Sequence, residues 1–170
     1  HGPRVTTLAG EPPGSQSRLR DLLAGKALLP LQGEGWQGGV AEGPLLVGNL
    51  TVATHLLGTR HCPDLAGRVL LLEDIGEAPY RIDRLLTHWR LSGALQQLAG
   101  LGFGRFEGCE AADDETRPCF SLEQVLRERS LDLGIPVVGG LPFGHGQPNA
   151  ALPLGRTVRL DGRSGSLSVL

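Results

Sequence analysis

Four apolar residues, Val69-Leu-Leu-Leu72, run without a break into two acids, Glu73 and Asp74, and a proline follows at position 79. A short unbroken apolar run with Gly67 before it and acids after it suits a strand covered on both faces. Pro79 fits the first turn of a helix, and Ile82, Leu85, Leu86 and Trp89 follow at i, i+3, i+4 and i+7 before Gly93 stops the stripe. Strand, acidic turn and helix in that order predict an α/β unit. Ligand sites in open α/β sheets lie beyond the carboxyl ends of strands, which is where Glu73 and Asp74 fall. Both acids also have a purely structural use, as caps of the following helix or as partners of Arg81 or Arg84.

The rest of the chain supports a mixed α/β domain. Between Gly33 and Val47, glycines alternate with Trp36, Val40, Leu45 and Leu46, a pattern for strands and tight turns. Asn49 is placed to cap a helix through Leu57 that stops at Gly58. Leu101 to Phe106 and Ile135 to Val138 read as strands, and Ser121-x-x-Gln124 as a capping box for a helix to about Leu131. Ala151 to Gly155, Thr157 to Leu160 and Ser166 to Leu170 are short runs between glycine turns, the last two predicting a hairpin. Residues 1–30 carry a proline pair and a short helix with Leu19, Leu22 and Leu23 on one side and Gly25 at its end, and read as a connector into a domain over 31–170. A chain of 170 residues can bury roughly 70% of its unfolded surface, a core of ordinary size.

Several classes of function are disfavoured. The net charge is −2 with no basic run, so no nucleic-acid partner is expected. No stretch approaches the roughly 20 apolar residues that cross a bilayer, and no secretory signal pattern opens the chain, so no membrane association is expected. Three irregularly spaced cysteines fit a reducing compartment such as the cytoplasm. His61, Cys62, Cys109 and Cys119 lack the spacing of a zinc site, and Asp113-Asp114-Glu115 lacks that of a calcium loop, so neither metal nor cofactor is expected. With no methionine even at position 1, the chain is expected to be a processed or partial form of a longer protein.

His145 lies between Gly144 and Gly146, where the backbone can approach a ligand closely, and imidazole suits proton transfer near neutral pH. A surface-loop role is the plainer reading of such a histidine, and His55 and His88 fall within predicted helices. No Gly-x-Ser-x-Gly elbow is present. A base and an acid able to orient it are thus available without an evident nucleophile.

Taken together, Val47-Gly-Asn49-Leu-Thr51, Leu72-Glu73-Asp74-Ile-Gly-Glu77 with Pro79-Tyr80-Arg81-Ile-Asp-Arg84, and Gly144-His145-Gly146 with Asn149 resemble the C-terminal half of the LD-carboxypeptidases. Val47 stands where that family usually has a second glycine. His1-Gly2-Pro3 is similar to the family's segment just after its nucleophile motif. The resemblance implies a swivelling β/β/α-type domain, the C-terminal half of a two-domain serine peptidase, commonly a homodimer. Its serine would lie on an upstream nucleophile domain, with Glu73 and His145 completing the triad and Asn49, Asp74, Tyr80 and Arg84 as supporting residues. The implied reaction removes the terminal D-alanine from murein tetrapeptides in cell-wall recycling in the cytoplasm, and the chain alone would be inactive. The microcin-immunity peptidases, which cleave peptidyl-nucleotide conjugates, are a related branch, and a non-catalytic substrate-binding or dimerisation domain is the alternative of another class.

Overall fold

In the computed structural model, residues 1–110 and 120–170 are described; Asp113 to Glu115 and Cys119 lie outside them. The described strands are β1 (Leu31–Gln32), β2 (Glu34–Gln37), β3 (Val40–Asn49), β4 (Val69–Ile75), β5 (Gly100–Glu107), β6 (Val137–Gly139), β7 (Thr157–Asp161) and β8 (Ser166–Val169). The α-helices are α1 (Pro13–Leu23), α2 (Leu50–Thr54), α3 (Pro79–Leu91) and α4 (Leu122–Glu128). The strands form one mixed sheet in the order β1-β8-β7-β3-β4-β5-β6-β2.

β4 is the hinge of the architecture. It pairs in parallel with β3 and β5, and six of its seven residues are buried. Because side chains alternate across a strand, Leu70 and Leu72 enter one core with Leu50, Ile82, Leu86, Trp89 and Phe103 beneath the helices. Val69 and Leu71 enter another with Leu45, Phe143, Val158, Leu160 and Leu167, inside the curve of the sheet. Each fully buried leucine contributes about 1.5–3 kcal/mol. A one-residue slip of β4 would exchange the two sets, so packing on both faces fixes its register.

The sheet nearly closes on itself. The strands at its two ends, β1 and β2, are consecutive in sequence with only Gly33 between them. β1 pairs antiparallel with β8 and β2 antiparallel with β6. A side chain on Gly33 would collide with the Gly139 carbonyl, so a glycine is needed where the chain passes from one edge to the other. The result is a mixed α/β domain with a curled sheet on one side and helices on the other.

Most expected elements are present with altered ends. α3 begins at Pro79 and buries Ile82, Leu86 and Trp89. α2 stops at Thr54 rather than Leu57: Thr51, Val52 and Thr54 are weak helix formers, and the Thr54 hydroxyl bonds back to the Leu50 carbonyl at 2.7 Å while accepting the Trp89 indole N–H at 2.8 Å. α4 ends at Glu128 rather than near Leu131, and the Arg129 carbonyl just beyond it is taken by Arg90 at 3.0 Å. Ser121 supplies half of the capping box, accepting from the Gln124 N–H at 3.1 Å, whereas the Gln124 side chain turns to Glu128. Ala151 to Gly155 forms no strand, since Leu152 exchanges backbone hydrogen bonds with His1 and Pro153 follows.

Candidate active site

β4 carries Glu73 and Asp74 to opposite faces. Glu73 continues the Val69 and Leu71 side and emerges at the mouth of the curled sheet; Asp74 continues the Leu70 and Leu72 side, toward the helices. Opposite them the β4–β5 register shifts, with Leu72 facing Phe103 but Asp74 facing Phe106, so β5 carries an extra residue. At this bulge Gly104 leaves room for Phe143: a side chain there would meet the phenyl ring and carbonyl of that residue. The Arg105 N–H then bonds the Phe143 carbonyl at 2.9 Å, holding the segment that leads to His145.

Glu73 and His145 meet directly. His145 Nδ1 lies 2.7 Å from Glu73 Oε2, and the His145 backbone N–H donates to the same oxygen at 3.1 Å. Glu73 is 1% exposed and His145 36% exposed. This approach depends on Gly144, whose φ of +107° suits glycine and where a Cβ would sit 2.8 Å from the Glu73 Cβ. The Asn49 to Asp74 cluster lies on the other face, but Asn149 serves this loop, accepting the Gly144 N–H at 3.2 Å. Since a carboxylate only accepts, Nδ1 carries the proton and the neutral ring presents Nε2 as its basic nitrogen. Among the described residues Nε2 has no hydrogen-bond partner, and His145 lines a cleft of about 460 Å³ with His1, Arg4, Thr7, Glu11 and Gln147.

Burial pushes the Glu73 carboxyl up, but His1 and His145 outweigh it and hold its pKa below the usual glutamate range. His1 Nε2 stands 3.8 Å from Glu73 Oε1, with its ring edge-on to Phe143 at 5.8 Å between centroids. A folded-state pKa below that of the unfolded chain means that folding releases protons as pH falls toward the carboxylate range. The stability Glu73 contributes is therefore present above its unfolded value of about 4.3 and is lost as pH falls through the lower folded value. Thermal melts are expected to show Tm falling with acidification from about pH 4.3, with a flatter dependence in Glu73→Gln. An equally steep fall in that variant would assign the effect to other carboxylates.

The remaining expected residues divide. Asp74, 2% exposed, accepts from Asn49 Nδ2 at 2.7 Å, from the Thr51 N–H and hydroxyl at 2.9 and 2.8 Å, and from the Ile75 N–H at 2.9 Å. Asn49 caps α2 through the Val52 N–H at 3.0 Å. The two thus bind the start of α2 to the end of β4, and Asp74 serves the helix before it rather than α3. Tyr80 is 52% exposed on α3 with the Arg84 guanidinium 5.0 Å from its ring, and Arg84 lines a separate cleft with Thr51, His55 and His88. Among the described residues no group of three His, Cys, Asp or Glu side chains converges as a metal site.

The model of the LD-carboxypeptidase C-terminal domain matches residues 42–160, most of the chain and both Glu73 and His145. The chain belongs to this LD-carboxypeptidase domain family. Along its whole length it is 54% identical to a provisional carboxypeptidase of Synechocystis sp., covering 56% of that relative, so the chain spans about half the length of that curated relative. Among solved structures, a muramoyltetrapeptide carboxypeptidase from Oxalobacter formigenes matches with a TM-score of 0.80 and 30% identity over 92% of this chain and 54% of that one. The microcin C7 self-immunity protein MccF in complex with aspartyl sulfamoyl adenosine matches with a TM-score of 0.67 and 25% identity over 82% and 40%.

Within this LD-carboxypeptidase domain, sequence reasoning missed the contribution of residues 1–18. Rather than only leading into the domain, this segment packs on the His145 loop: Ser15 Oγ accepts the Asn149 N–H at 3.2 Å, Gln147 Nε2 donates to the Gly10 carbonyl at 2.8 Å, and Arg18 Nε donates to the Ala151 carbonyl at 3.0 Å. Its buried residues are Glu11 and Ser15, polar positions that a search for apolar stripes passes over. Strand parity sends Glu73, in step with Val69 and Leu71, and Asp74 to opposite faces, without saying which face holds the cleft.

Proposed function

We propose that this chain is the acid–base half of a serine-type LD-carboxypeptidase that removes the terminal D-alanine from murein tetrapeptides. The observation that carries the reading is the 2.7 Å contact between His145 Nδ1 and the buried Glu73 carboxylate, with Nε2 toward a cleft. In this mechanism Nε2 takes the proton of a serine hydroxyl supplied by an upstream nucleophile domain. The serine oxygen attacks the L,D-amide carbonyl, and the imidazolium then protonates the D-alanine nitrogen as the C–N bond breaks. Water, deprotonated by the same nitrogen, then attacks the acyl carbonyl, and as the bond to the serine oxygen breaks the imidazolium returns the proton to that oxygen, restoring the hydroxyl. Glu73 fixes the tautomer and offsets the imidazolium charge. The backbone bond from His145 to the same carboxylate orients base and acid as one unit. A cytoplasmic location and pairing into a homodimer belong to the same proposal.

The test is D-alanine release from murein tetrapeptide by the protein extended through its upstream half, beside a peptidyl-nucleotide conjugate. Release of D-alanine is expected, with no release by residues 1–170 alone. Cleavage of the conjugate in preference to the tetrapeptide would support the second reading, favoured by the likeness to MccF. Cleavage of neither would leave the domain as a binding module.

A further inference from the structure

Glu11 is 8% exposed, and its Oε2 is buried without a hydrogen-bond partner. It enters no ion pair among the described residues. Glutamate is seldom buried unless paired, and an unsatisfied carboxylate costs desolvation energy with nothing to offset it. Yet the backbone around it is firmly set. The Glu11 N–H bonds the Leu8 carbonyl at 3.2 Å, its carbonyl accepts Gln16 Nε2 at 2.9 Å, and the neighbouring Gly10 carbonyl is tied to Gln147 of the histidine loop. The side chain lines the same cleft as His145, alongside Arg4.

An unpaired, largely desolvated carboxylate carried on a well-held stretch of backbone in the wall of a cleft is suited to a cationic group that arrives with a ligand. Resting on the reading of this cleft as a peptidase site, we infer that Glu11 is a specificity residue that binds the primary ammonium on the side chain of the residue preceding the terminal D-alanine. The amine of diaminopimelate or lysine has this chemistry. Glu11 takes no part in bond making. It holds the substrate by a charge-assisted hydrogen bond, and a substrate lacking the ammonium leaves it unpaired.

The test uses the protein with its upstream half and two tetrapeptides, one ending in L-lysyl-D-alanine and the other in Nε-acetyl-L-lysyl-D-alanine. The parent is expected to show a KM about 10- to 100-fold lower for the free amine. Glu11→Gln, folded as judged by its Tm, is expected to remove that difference by raising KM for the free amine, with kcat little changed. Equal KM values in the parent, or equal losses on both peptides in the variant, would overturn the assignment. If the parent cleaves neither peptide, calorimetry decides independently of the peptidase reading. Tighter binding of the free amine that is lost in Glu11→Gln supports the Glu11 site even as that reading fails, and binding without preference overturns it.

Discussion

Replacing His145 by alanine, in the protein that carries its upstream half, is expected to lower kcat for D-alanine release by about 10⁴- to 10⁶-fold while the fold stays intact. The magnitude follows from what is removed. In the proposed mechanism the His145 imidazole takes the serine proton and returns it to the departing amine, while His1, the other imidazole in the cleft, stands 3.8 Å from the second Glu73 oxygen and lacks the close hydrogen bond that orients His145. Glu73→Gln should cost about 10⁴-fold, because an amide at the Oε2 position presents either a donor that clashes with Nδ1–H or an oxygen that no longer offsets the imidazolium. The double variant should be little worse than His145→Ala alone if the hydrogen-bonded pair acts as one unit, as proposed. Steady-state kinetics with circular dichroism as a folding control check all three. A folded His145→Ala protein that keeps most of its turnover would remove His145 from the chemistry and leave the domain as a binding module.

Asp74→Ala is expected to destabilise the fold by about 3–5 kcal/mol without touching the reacting groups. Four donors converge on the two oxygens of the buried Asp74, and each one left unsatisfied away from water costs about 1–3 kcal/mol, though not additively and less for the Ile75 N–H on its exposed residue. For a domain of this size that corresponds to a fall of roughly 10 °C in Tm. Asn49→Ala, which removes the cap and only one of those donors, should cost nearer 1 kcal/mol. Urea and thermal unfolding separate the two. Should Asp74→Ala instead lose activity with its Tm unchanged, Asp74 would belong with the reacting groups and not with the scaffold.

The contrast between these neighbours shows what could be read in the sequence. An apolar run ending in acids and followed by a proline-led amphipathic stretch marks β4 and α3, because the change from continuous burial to a 3.6-residue period is a local signal. Which acid faces the cleft depends on which face of β4 lies inside the curled sheet, and that is set by partners as distant as Leu160 and Leu167. The glycines flanking His145 mark only a place of close backbone approach, and its distance to Glu73 comes from the β5 bulge and the bonds that hold Phe143. Closure of the sheet was illegible for another reason: β1 is only two residues long and leaves no periodic trace. Likewise α1 advertises Leu19, Leu22 and Leu23, but Leu23 is 79% exposed and the segment docks through the polar residues before them.

The strand that turns at Gly33 bears on the order in which the domain can be made. One half of it waits for β6 and the other for β8, which emerges from the ribosome more than a hundred residues later. A nascent chain stopped before Ser166 would leave the place of β8 between β1 and β7 empty, with the backbone donors and acceptors of the β7 edge available to a neighbouring copy. Assembly of the Glu73–His145 pair is therefore separable from sealing of the sheet: β4 and the histidine loop are complete by Asn149, while protection against edge-to-edge association arrives only with the β7–β8 hairpin.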